Sequence, residues 1–165
     1  MKFAPITKVR TMKNKELVIG CDNAAVALKN EIEKFLAKEG FVYTDLGVDS
    51  PDDETMYPLI AERVVREIIR SDYRKEGILI CGTGIGMAIA ANKFPGIYAA
   101  VCHDNYSAER ARLSNDANVI CMGARIIGPE LAKKVLAEWL SLEFKDGRST
   151  SKVAKIKEIE GNSFR

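Results

Sequence analysis

Two periodicities of apolar residues alternate along this chain. Short runs rich in β-branched and small residues recur at Leu17–Cys21, Phe41–Leu46, Gly77–Cys81, Tyr98–Cys102 and Asn118–Met122. Each has the length of a strand buried on both faces. Between them the apolar positions take helical spacing. Leu28, Ile32, Phe35 and Leu36 share one face, as do Ile60, Val64, Ile68 and Ile69 in a helix that begins near Pro58. Leu131, Val135, Trp139 and Leu142 repeat the pattern, and a last helix is predicted to turn Val153, Ile156 and Ile159 inward. Alternation of this kind predicts an α/β fold with an open, mostly parallel, five-stranded sheet covered on both faces. Residues 1–15 read as a flexible extension and residues 16–165 as one domain closed by the C-terminal helix. Gly47–Thr55, "GVDSPDDET", reads as an acidic loop.

In open parallel sheets functional groups gather at the carboxyl ends of the strands. Here those ends read Cys21-Asp22-Asn23, Cys81-Gly82-Thr83, Cys102-His103-Asp104 and Cys121-Met122-Gly123. The fold therefore carries polar and reactive residues to one edge. Cysteine also suits a buried strand by its size. That reading is preferred for Cys102 and Cys121, while Cys21 stays open.

Composition narrows the picture. The chain has 165 residues, 47% hydrophobic and 29% charged, the balance of one globular domain. A net charge of +2 gives no electrostatic argument for a nucleic-acid partner. No apolar run has the roughly 20 residues that span a bilayer. The basic start "MKFAPITKVRTMKNKE" lacks the apolar centre of a secretory signal, so the cytoplasm is the expected location. The four cysteines form no CxxC pair and match no zinc module, and are expected as reduced thiols. The chain has a single histidine, His103.

"GILICGTGIGMAIAANK", Gly77–Lys93, is the densest stretch. Gly82, Gly84 and Gly86 remove Cβ atoms from a strand-to-helix turn, whose amides can then approach an anion. The spacing is GxGxG, not the dinucleotide fingerprint GxGxxG, and the turn follows the third strand rather than the first. Cys81 stands immediately before it. A thiol beside a helix N-terminus is more easily deprotonated, and the Thr83 hydroxyl is close enough in sequence to hydrogen-bond the sulfur. From the residues alone, Cys81 is either a catalyst or a small buried residue.

These motifs resemble the type-B ribose-5-phosphate isomerases and the related galactose-6-phosphate isomerase subunits. "GCDNAA", "ILICGTGIGMAIAANK", "YSAERARLSNDANVICMGARIIG" and "FKDGRSTSKV" occur in the family's order. The resemblance runs from about Leu17 to Glu160. It implies a Rossmann-like three-layer domain, a homodimer or a tetramer whose active sites draw on both chains, and no metal or cofactor. It implies interconversion of a phosphorylated aldose and ketose through a cis-enediolate, ribose 5-phosphate and ribulose 5-phosphate being the expected pair. Cys81 then matches the base and Thr83 its support. Gly82, Gly84 and Gly86 match the pocket for the enediolate oxygen. Asp22, Asn23, Tyr57 and Asn115 fall in the substrate-binding set, and Arg125, Arg148 and Lys152 in the phosphate-binding set.

The chain also departs from that pattern. Asn23 and Ser149 stand where histidines are usual, and Lys152 replaces an arginine, a point charge for a planar fork. Ser114, in "LSND", stands where the ribose enzymes carry the histidine that opens the sugar ring. Three explanations compete: His103 takes over that role, a paralogous partner supplies the histidine, or the substrate needs no ring opening. A tetrose 4-phosphate fits the last, because its O4 carries the phosphate. Hexose 6-phosphates are a further alternative. From a different class, a non-catalytic nucleotide-binding module would use the glycine turn for a diphosphate.

Overall fold

The computed structural model describes residues 15–164. Most of the expected extension lies outside the described residues. Lys15, its last residue, is tied down: its Nζ donates to the Leu142 carbonyl at 3.0 Å and pairs with Glu76 at 3.3 Å.

The strands are β1 (Glu16–Cys21), β2 (Val42–Asp45), β3 (Lys75–Cys81), β4 (Ala99–Val101) and β5 (Val119–Gly123). They form one sheet in the order β2-β1-β3-β5-β4, and every pairing is parallel. Leu17–Ile19, Ile78–Ile80 and Val119–Met122 are buried on both faces, which is why these runs are continuous rather than alternating. The helices are α1 (Val26–Glu39), α2 (Tyr57–Arg70), α3 (Ile85–Ala91), α4 (Asn105–Leu113), α5 (Pro129–Leu140) and α6 (Thr150–Ser163). One layer holds α2 and α3, and the other holds α1, α4 and α5. Pro58 occupies the first turn of α2, and Asp104 caps α4 by accepting the Ser107 N–H at 2.7 Å. Gly20 lets α2 lie directly on β1: a Cβ there would stand 2.7 Å from Val64 Cγ2.

Two polar clusters pin this frame. Lys29 is wholly buried between Asp45 and Asp49, and joins α1 to the end of β2 and the acidic loop. Burial acts to lower its pKa, but the two carboxylates outweigh that and the net shift is upward. At the opposite end of the sheet, Arg112 of α4 stacks 3.8 Å from the Trp139 ring centroid, donates to the Ala117 carbonyl at 2.8 Å and pairs with Glu76.

The helical stripes need correction. In α5 the buried set is Ala132, Val135, Leu136, Trp139 and Leu140; Leu131 is 40% exposed and Leu142 lies beyond the helix end. In α6 only Val153 is buried, while Ile156 and Ile159 are 40% and 58% exposed. Among the described residues, Val153 alone packs α6 onto the core, and Ile156 and Ile159 are left open. Polar contacts hold the rest of it. Glu160 accepts from the Gly96 N–H at 2.9 Å and the Tyr98 hydroxyl at 3.0 Å, and Lys157 lies 3.7 Å from Asp116. Among the described residues, no helix is long and apolar enough to cross a membrane.

Candidate active site

From β1 the chain moves outward to β2, then crosses back to place β3 on the other side of β1. The carboxyl ends of β1 and β3 thus flank a topological switch point, where such sheets open a crevice. Asp22 leaves one strand there and Cys81 ends the other.

Cys81 is 5% exposed, and its Sγ accepts the Gly84 N–H at 3.1 Å. The turn is moulded on the end of β5. The Cys81 carbonyl accepts the Ala124 N–H at 2.8 Å, and the Gly82 carbonyl accepts the Arg125 N–H at 3.0 Å. Carbonyl and N–H point opposite ways across a trans peptide, so the Gly82 and Thr83 N–H groups turn away from β5. Two adjacent backbone donors on one side of a turn are a means of receiving an oxyanion. Gly84 adopts φ 78°, and a Cβ on it would stand 3.0 Å from the Met122 carbonyl carbon. Gly123 meets the turn from the other side: its Cβ would stand 2.7 Å from Thr83 Cα.

Thr83 does not reach the sulfur. Its Oγ1 accepts the Ile85 N–H at 3.3 Å and so caps α3. The sulfur's partner is the Gly84 amide, a backbone group that no side-chain reading of the sequence would select.

Other expected residues surround this turn. Arg125 crosses Gly82, where a Cβ would stand 3.5 Å from Arg125 Cδ. Asp22 accepts the Ala24 N–H at 3.1 Å; burial raises its pKa, opposed by that N–H and by the Arg125 charge. Asn23 is exposed at the start of the 3-10 turn Asn23–Ala25. The Tyr57 ring lies over Gly86, where a Cβ would stand 2.6 Å from Tyr57 Cε2. The remaining cysteines are held as thiols. Burial pushes Cys21 up to about 12, Cys102 up to about 11 and Cys121 well above its ordinary value.

His103 is half-buried, and its Nε2 accepts the Gly123 N–H at 2.9 Å. This bond requires an unprotonated Nε2. Burial lowers the His103 pKa, with Asp104 opposing. Backbone therefore occupies Nε2, and the ring proton sits on Nδ1.

Asn115, Arg148 and Lys152 are not brought to this edge. α4 starts past the carboxyl end of β4 and runs back for nine residues, about 14 Å, so Asn115 lies at the amino end of the sheet. Arg148 follows Leu142, which is bonded to Lys15 at the entry of β1, and α6 is anchored by Glu160 at the entry of β4. One strand length, about 16 Å for the five residues of β5, separates the two edges. Of the three expected phosphate ligands, Arg125 is the one whose contacts place it beside Cys81.

Residues 17–156 match the family described as Ribose/Galactose Isomerase. The chain is 50% identical over 140 residues to a D-erythrulose-4-phosphate isomerase of Pectobacterium atrosepticum, covering 85% of this chain and 91% of that one. It is 49% identical over 145 residues to a ribose-5-P isomerase B of Listeria innocua, covering 88% and 97%. The solved ribose-5-phosphate isomerase B of Clostridium thermocellum superposes with a TM-score of 0.84 at 41% identity, over 89% of this chain and 98% of that one. Fold, site and likeness together define a sugar-phosphate aldose–ketose isomerase. The chain belongs to the ribose/galactose isomerase family. The nucleotide-binding alternative gives way to that assignment.

Proposed function

We propose that this isomerase acts on a short, acyclic sugar phosphate, a tetrose 4-phosphate aldose–ketose pair, with Cys81 as base. The Cys81 thiolate takes the proton from the carbon next to the carbonyl, and the electron pair moves onto the carbonyl oxygen to give an enediolate. The Gly82 and Thr83 amides receive that charge. The thiol returns the proton to the neighbouring carbon while the hydroxyl proton passes between the two oxygens, so aldose and ketose interconvert with no net loss. Asp22 and Tyr57 orient the sugar hydroxyls.

The observation that carries the choice of sugar is Ser114 at the position where the resemblance implies a ring-opening histidine, taken with the engagement of His103 Nε2 by backbone. Ser114 is no acid–base at neutral pH, and His103 Nε2 is held by the Gly123 amide. A substrate that cannot close a five-membered ring makes neither demand. The relative named for D-erythrulose 4-phosphate supports this reading. Ribose 5-phosphate is the second reading, favoured by the Listeria innocua relative of nearly equal identity.

The placement of Asn115, Arg148 and Lys152 at the far edge supports a shared site. A second copy of the chain would present its amino edge, with these three residues, to the carboxyl edge of the first. A panel of four-, five- and six-carbon sugar phosphates tests the substrate. The tetrose phosphates should give the highest kcat/KM by at least about tenfold; a preference for ribose 5-phosphate would overturn the choice of sugar.

A further inference from the structure

We infer that His103 is a positioning residue, which holds the oxyanion turn in place through the backbone of Gly123. The proposal rests on the reading of Cys81 and the glycine turn given above. It starts from the β4–β5 ladder. The Val119 N–H donates to the Tyr98 carbonyl at 3.3 Å, and the Cys121 carbonyl accepts the Cys102 N–H at 3.0 Å. Alternate residues of β5 therefore face β4, and Gly123 is the next in that series. At this level β4 has already ended, at Val101. The Gly123 N–H has no strand carbonyl to meet, and His103 Nε2 takes that place at 2.9 Å.

What the bond fixes matters more than the bond itself. Gly123 pairs in register with Cys81 and packs its Cα side against Thr83. The two amides that follow it, those of Ala124 and Arg125, hold the Cys81 and Gly82 carbonyls. Those carbonyls set which way the oxyanion donors point. His103 thus sits one backbone link from the peptide groups that meet the developing charge, while its Nε2 makes no contact with sugar. A displacement of about 1 Å at such donors costs on the order of a hundredfold in rate. The Nε2 acceptor requires the proton on Nδ1, an assignment that follows from the Gly123 bond.

The test compares His103→Ala, His103→Gln and His103→Asn. Gln Oε1 stands as many bonds from Cβ as His Nε2, so it reaches the Gly123 N–H; Asn falls short. kcat and KM are measured on tetrose 4-phosphate and on ribose 5-phosphate, alongside the Gly123 amide resonance in a 15N–1H spectrum. His103→Ala and His103→Asn should lose about 10- to 100-fold in kcat on every sugar turned over, with KM within about threefold. His103→Gln should return kcat to within about threefold and restore the Gly123 amide shift. Loss confined to the cyclic sugar, or no rescue by glutamine, would overturn the proposal in favour of ring chemistry. Wild-type kcat in His103→Ala would overturn it outright. If the wild-type protein turns over neither sugar, the substrate reading fails. The Gly123 resonance still decides the latch: an unmoved shift in His103→Ala refutes it.

Discussion

Gly84→Ala puts the geometry of the turn under the most direct strain. Gly84 sits at φ 78°, where an L side chain costs roughly 1–2 kcal/mol. Its Cβ would also stand 3.0 to 3.1 Å from the carbonyl carbon, nitrogen and oxygen of Met122, backbone atoms that cannot swing aside as a side-chain tip would. For a domain of this size about 1 kcal/mol moves Tm by roughly 2–4 °C, so the expected loss is about 2–8 °C. The catalytic effect should be larger in proportion. The Gly84 N–H that reaches Cys81 Sγ at 3.1 Å moves with the strained peptide, and kcat should fall by about a hundredfold. The assay pairs a thermal melt with steady-state kinetics on the folded variant. Gly161→Ala is the control: it lies within α6 with nothing within 4 Å of a new Cβ, and its Tm should hold or rise. A Gly84→Ala protein with wild-type Tm and kcat within about threefold of wild type would refute the account of the turn.

Two further outcomes follow from the same geometry. Mixing Cys81→Ala protein with an Arg148→Ala/Lys152→Ala protein, after dissociation and reassociation, should restore activity if the site draws on both edges of two copies; persistent inactivity would contradict the shared site. The pH dependence follows from His103, whose pKa burial pushes below 6.5 with Asp104 opposing. As pH falls below 6.5 the unfolded chain takes up this proton before the folded one, so the His103 contribution to stability declines across that window. kcat should show an acid inflection below 6.5 that vanishes in His103→Gln; an unchanged inflection in that variant would assign it to another group.

How much of this was legible in the sequence differs from element to element. β1, β3, β5 and the stripes of α1 and α2 could be read because strands covered on both faces need continuous apolar runs, and the helices on them must show one apolar face. α6 misled for the same reason: its stripe is real, but Ile156 and Ile159 find no surface among the described residues. Cys81 and Asp22 were readable as strand-end residues that the topology gathers, whereas Tyr57 and Arg125 were expected only through the family resemblance. Asn115, Arg148 and Lys152 were expected only through the family resemblance, and not as a separate edge, since position along the chain does not say which end of the sheet a residue reaches. The Gly84 N–H to sulfur and the Gly123 N–H to His103 left no trace in the pattern. Both are backbone donors, which every residue but proline carries. The folded turn and the loop after β4 reveal them.

The central claim is that the Cys81 thiolate moves a proton between adjacent sugar carbons at the glycine turn. It is tested most directly by NMR of tetrulose 4-phosphate incubated with the protein in deuterium oxide. Wild-type protein should place deuterium at C1 of the ketose at a rate comparable to turnover. Cys81→Ala should bind the sugar phosphate and leave C1 unlabelled. Deuterium incorporation by Cys81→Ala at the wild-type rate would show that another group carries the proton and would contradict the account.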